Sequence, residues 1–234
     1  MPKERESTTY SREARARVAL SLACQDLSDS ARHAVPTSSD GYAQSGGFVE
    51  MAAGMVSAAQ HVLQLAAVLE REKGTSWEDI GEALEISKQA AHERFSGAHD
   101  RWRKQLAEPW VPSGSLLSCQ LPAGAEDPAT WAQRLDEWVI RHREQTDVDP
   151  GQRPVSGNLR EASLVEQISM ALAEVRALQE REHAGTASAS QRRNWYRRKA
   201  ELFERLAAAE PREPAYAEAA ANARRQLAEL EVRG

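Results

Sequence analysis

Six histidines, two cysteines and several adjacent carboxylates are the side chains in this sequence whose types could carry chemistry. His92 and His99 stand seven apart, two turns of a continuous helix, where two imidazoles share a face. Gly97 is expected to interrupt that helix, no third ligand stands nearby, and neither HxxxH nor HExxH occurs. No metal or other cofactor is expected. Cys24 and Cys119 lie far apart, which excludes a disulfide framework and a thiolate zinc cluster; each is expected to be a small buried side chain. The pairs Glu126–Asp127 and Asp136–Glu137 have the chemistry for proton transfer, but Asp127 before Pro128 fits a helix start and Asp136 fits a solvated surface. There is no Walker A loop, no GxGxxG after a strand and no GxSxG elbow. No catalytic residue is assigned, and the sequence offers no support for an enzyme.

The elements that would position any site are helices. At 234 residues, 41% hydrophobic and 28% charged, with mean hydropathy −0.62, the chain suits one or two globular domains. The start, MPKEREST, is charged and lacks the apolar core of a signal peptide, so a cytoplasmic protein is expected. Met51 to Leu69 carries no charge, close to the length of a membrane span. Ala52, Met55, Ala59, Val62, Ala66 and Leu69 recur by threes and fours, however, which reads as the seam of a buried helix; no membrane partner is expected.

The expected fold class is all-α, a helix-turn-helix N-terminal half followed by a C-terminal helical bundle. Residues 1–10 read as a frayed start, and 11–107 as a helical domain. Within it a helix spans 11–27, a loop runs from Ser28 to Gly47, and a long helix ends at Gly74. Residues 108–128, rich in proline and glycine, read as an irregular connector with one short strand at Leu116–Leu121. Residues 129–145 read as a helix with Trp131, Leu135 and Trp138 on one face, and 146–160 as a linker. In 161–234 three apolar stripes predict a bundle: Leu164, Ile168, Leu172, Val175 and Leu178; Trp195, Leu202, Leu206 and Ala209; Tyr216, Ala220, Ala223, Leu227 and Leu230.

The informative stretch is SWEDIGEALEISKQAAHERFSG, within residues 75–97. Thr75 through Glu78 fits a capping box for one short helix, and Ser87 is placed to cap the next. Two short helices that cross closely need a small residue at the contact, which Gly81 supplies. Ile80, Leu84, Ile86, Ala91 and Phe95 are the apolar residues that lock them. This spacing resembles the helix-turn-helix family of DNA-binding domains, in particular small actinobacterial regulators, and more loosely the promoter-reading helices of sigma factors. The turn position usually held by glycine is Glu85 here, where positive φ costs a side chain about 1 kcal/mol.

The resemblance implies double-stranded DNA as partner, with the second helix in the major groove. Ser87, Lys88, Gln89, His92 and Glu93 would then face base edges, Gln89 suiting adenine and Lys88 guanine or a phosphate. Arg94, Arg101, Arg103 and Lys104 would neutralise phosphates, and Thr75 and Ser76 would offer hydroxyls and amides to one. The charge balance is mixed. Net charge is −5; residues 86–105 carry five basic against two acidic side chains, whereas 70–85 carry six acidic against two basic. A two-fold dimer through the C-terminal helices would match a palindromic operator. A second basic cluster, QRRNWYRRK at 191–199, reads as aromatics facing the bundle with arginines in solvent. The expected function is sequence-specific DNA binding in transcription regulation. The alternative is a helical protein-interaction module that never contacts DNA.

Overall fold

Side-chain oxygens open several helices of this chain by accepting from amides that have no partner in the first turn. Ser11 accepts from the Ala14 amide at 3.1 Å and starts α1, Arg12–His33. Asp127 accepts from Thr130 at 3.2 Å, with Pro128 in the first turn, and starts α6, Pro128–His142. Ser163 with Glu166, and Ser188 with Gln191, form reciprocal caps at the starts of α7, Leu164–His183, and α8, Ala189–Ala209. The remaining helices are α2, Gly47–Lys73; α3, Trp77–Ala83; α4, Lys88–Ala107; α5, Ala123–Glu126; and α9, Pro214–Val232.

The computed structural model describes residues 10–37, 44–113, 116–144, 149 and 151–232. The chain is all-α. Among the described residues the one interruption is an antiparallel hairpin of β1, Trp110–Ser113, and β2, Leu116–Cys119, in which Trp110 pairs with Cys119. The expected frayed start falls outside the described residues except at Tyr10, which bridges Glu161.

Two compact units form. The first combines residues up to Arg103 with Leu121–Glu161; the second combines Lys104–Gln120 with Ala162 onward. In the first unit Val18 of α1 packs on Ala132 and Leu135 of α6, ringed by Leu22, Trp131, Val155 and Leu159. The stretch that reads as a linker is tied into this unit. The buried Asp136 carboxylate accepts from the amides of Val155 at 2.7 Å and Ser156 at 3.0 Å, and from the Ser156 hydroxyl. Asp136 is therefore a structural clamp and not a solvated acid. Within the stretch that reads as an irregular connector, β1, β2 and α5 are ordered elements.

Several expectations change. Cys24 is exposed and Cys119 half-buried, so neither is a core residue. The seam along α2 is covered only at its C-terminal end. Leu65, Ala67, Val68 and Leu69 are buried, whereas Ala52 and Ala59 are exposed, as are Phe48, Val49 and Val56. A helical hairpin leaves outer faces open unless a third element packs on them, and α3 and α4 pack only near the end of α2. By length and composition α2 is long and apolar enough to cross a membrane. In the second unit, α8 and α9 pair closely through Ala200, Leu202, Leu206, Ala220, Ala223 and Leu227. The α7 stripe stays largely open: Ile168 and Leu172 are exposed beside Val165, and Ala177 is the buried residue of that helix.

Candidate nucleic-acid interface

The four residues Leu84–Ser87 turn the chain from α3 into α4, and the turn is built around one glycine. A Cβ on Gly81 would stand 2.8 Å from the Ile86 carbonyl oxygen and 3.2 Å from the Ser87 carbonyl carbon, so only glycine lets the backbones meet there. The Ile86 amide donates to the Gly81 carbonyl at 2.9 Å, and Glu85 takes φ of 56°. Ile80, Ala91 and Phe95, with Ala67 of α2, form the buried core beneath, and Leu63, Trp77, Leu84 and Ile86 pack round it. Phe95 is 1% exposed; burying such a ring contributes about 1.5–3 kcal/mol.

The cap of α3 is shifted by one residue from its expected place. Ser76, not Thr75, is the cap: its hydroxyl oxygen accepts from the Asp79 amide at 3.1 Å, and Asp79 accepts from the Ser76 amide at 3.0 Å. Both hydroxyls expected to meet a phosphate donate to carboxylates, Ser76 to Asp79 at 2.7 Å and Thr75 to Glu70 at 2.6 Å. The Ser76 hydroxyl and amide lower the Asp79 pKa, while Lys73 and Thr75 lower that of Glu70. Two ionised acids therefore stand beside the hydroxyls that a phosphate would approach.

Ser87 caps α4 by accepting from the Ala90 amide at 3.1 Å. The helix then runs unbroken through Gly97 to Ala107, so the expected interruption does not occur. Ala91, Phe95 and Trp102 turn inward, while Ser87, Lys88, Gln89, His92, Glu93 and Arg94 are exposed. At about 100° per residue, Lys88, Gln89, His92 and Glu93 share one arc, and Arg94 with Arg101 lies on the next flank. Arg101 and Arg103 are exposed too. Lys104 is also exposed, where α4 passes into the second unit.

Two side chains of this exposed arc stand beside acids. Gln89 donates to Glu93 at 2.9 Å, and Lys88 lies 3.9 Å from Glu78 with both side chains mostly in solvent. Such an exposed pair contributes about 0–1 kcal/mol, so a phosphate or base can displace it at little cost.

A cluster behind this face escapes a reading of the sequence. Trp77 meets the rings of His92 and His99 edge-on, with centroids 5.5 and 6.3 Å apart, and the Arg71 guanidinium lies 4.7 Å from its centroid. His99 Nε2 is 3.1 Å from Glu72 Oε1, whose side chain is 6% exposed, and Arg103 Nε stands 3.9 Å from the same oxygen. These contacts fasten α4 to α2 and α3. The available signal was the seven-residue spacing of the two histidines, which has meaning only once α4 is continuous. Among the described residues no group of three His, Cys, Asp or Glu is placed to hold a metal ion.

Comparison with models of known families, with characterised proteins and with solved structures finds no match to this chain.

Proposed function

We propose that this chain is a cytoplasmic, sequence-specific DNA-binding protein that regulates transcription, reading the major groove with the first two turns of α4. The observation that supports this reading is the open polar arc of Lys88, Gln89, His92 and Glu93, carried on a helix seated by a close contact at Gly81. Gln89 would read adenine, and Glu93, an acceptor within 2.9 Å of it, would favour the amino group of cytosine. Arg94, Arg101 and Arg103 would neutralise phosphates. A homodimer through the C-terminal helices would present two such helices to a two-fold site.

A second reading has its own support. Glu78, Asp79, Glu82 and Glu85 are exposed around the turn, and Glu78 lies beside Lys88. An acidic rim of that kind suits a basic protein partner.

Selection of the purified protein against a random duplex pool, at low and high salt, separates the two. Enrichment of one sequence, lost in Lys88→Ala with Gln89→Ala, is the expected result. Absence of binding at both salt concentrations by a folded sample would transfer the site to the protein-partner reading.

A further inference from the structure

The α7 helix buries one residue, Ala177, and leaves an apolar stripe open on its other side. Val165 is 76% exposed and Leu172 57%, Ile168 is exposed between them, and Val175 is half-buried. The spacing runs three, four and three, which at about 100° per residue places all four within an arc of about 80°. Ala177 stands about 160° round the helix from the middle of that arc. Glu174, three residues before Ala177, accepts a hydrogen bond from Arg198 of α8. The contact with α8 therefore uses the far side of α7, and α8 leaves the stripe uncovered.

A two-fold axis sets a surface against itself, so a charge close to the axis meets its own sign. The exposed residues of α7 between Leu164 and Val175 are Val165, Ile168, Ser169 and Leu172, and none is charged. Spacing by threes and fours is also what lets two helices interlock along one seam. The first charge beyond the stripe sets the direction. In a parallel pair, Arg176 would stand beside Arg176 of the second copy. In an antiparallel pair centred near Met170, it reaches the first turn of the other helix, where Glu166 is the acidic residue. Antiparallel helices also oppose their macrodipoles favourably. In that register Ile168 of each copy lies against Leu172 of the other, and Val165 against Val175. A helix of 20 residues is about 30 Å long and about 10 Å across. That is short of the roughly 800 Å² per partner of a standard interface, so the pairing is reversible and micromolar.

We propose that α7 is the seam of an antiparallel two-fold dimer of this chain, closed by Val165, Ile168, Leu172 and Val175. The seam rests on the homodimer reading above and gives it a surface, and its test involves no DNA.

The test is sedimentation velocity of the full chain from about 1 to about 500 µM, a range that brackets micromolar association. Wild type should pass from monomer to dimer. Leu172→Glu and Ile168→Lys, each alone, set a charge against an apolar side chain and should weaken association at least about tenfold. Both positions are exposed, so circular dichroism should stay that of wild type. Mixed in equal amounts, the two variants should associate again. The antiparallel register then sets the new cation of one copy against the new carboxylate of the other and keeps one Ile168–Leu172 contact intact. Loss of folding cannot produce that recovery. A dimer unaffected by either substitution overturns the seam and leaves the homodimer reading standing. Association weakened by both substitutions and not recovered on mixing overturns the antiparallel register. A monomer at every concentration overturns seam and homodimer together and leaves the stripe to a different protein.

Discussion

Asp136 shows how one carboxylate can make stability depend on pH. Burial pushes its pKa up, but the bonds from Ser156 and Val155, with the Arg153 charge nearby, outweigh burial and leave it below the ordinary value. With a lowered folded pKa, the unfolded chain binds more protons as acid is added. The stabilisation is thus complete above the unfolded value near pH 4 and is lost as pH falls through the folded one. Asp136→Asn should cost about 1–3 kcal/mol at pH 7 in urea unfolding, and the gap from wild type should shrink toward pH 3. A gap that stays constant with pH would show that the charge is not what matters. Local pattern could not reveal this role, because the partners lie 19 and 20 residues away in a stretch whose composition suggests a linker. Glu85 is the opposite case: the glycine-like turn position was legible, and φ of 56° is what the turn requires. Glu85→Gly should raise stability by about 0.5–1 kcal/mol, measured as an increase in Tm.

Among the elements, α4 best separates what pattern reveals from what it hides. Ile80, Leu84, Ile86, Ala91 and Phe95 were legible as the lock between α3 and α4, since helical spacing alone puts them on facing sides. The break at Gly97 was not real. A glycine in a helix costs about 1 kcal/mol, less than the burial of Phe95 and Trp102 on the same inner face returns. The one-residue error in the α3 cap has a similarly concrete cause. Thr75–Glu78 and Ser76–Asp79 both fit the capping pattern, and the Thr75 amide is already taken by the Glu70 carbonyl at 3.0 Å as α2 ends. Two identical substitutions should therefore act with opposite sign. Gly97→Ala meets nothing nearer than the Arg101 Nη1 atom at 3.6 Å and should stabilise by about 0.5–1 kcal/mol. Gly81→Ala drives a Cβ into the Ile86 carbonyl, should destabilise by about 1–3 kcal/mol and, on the proposed function, should weaken DNA binding with it. Thermal melts of the pair check both signs.

For the whole molecule, the all-α class followed from periodicity, but the grouping of helices into units did not. Proline and glycine mark where the backbone bends, and say nothing about which distant pieces pack; here 104–120 joins the C-terminal helices while 121–161 joins the N-terminal ones. Net charge of −5 also sets the character of any DNA complex. Attraction must come from a few local cations, so the affinity should fall with salt at a slope reduced by roughly one for each of Arg94→Ala, Arg101→Ala and Arg103→Ala. Binding titrations across a salt series measure that slope. The uneven covering of α2 carries a further consequence, for motion. Its last two turns hold Leu65, Ala67, Val68 and Leu69 in the core, while residues 47–64 bury no side chain fully. One continuous ladder of backbone hydrogen bonds thus crosses from a poorly anchored region to a well anchored one. Amides near the start should exchange with deuterium through small local openings, and those around Leu65–Leu69 only through openings approaching complete unfolding.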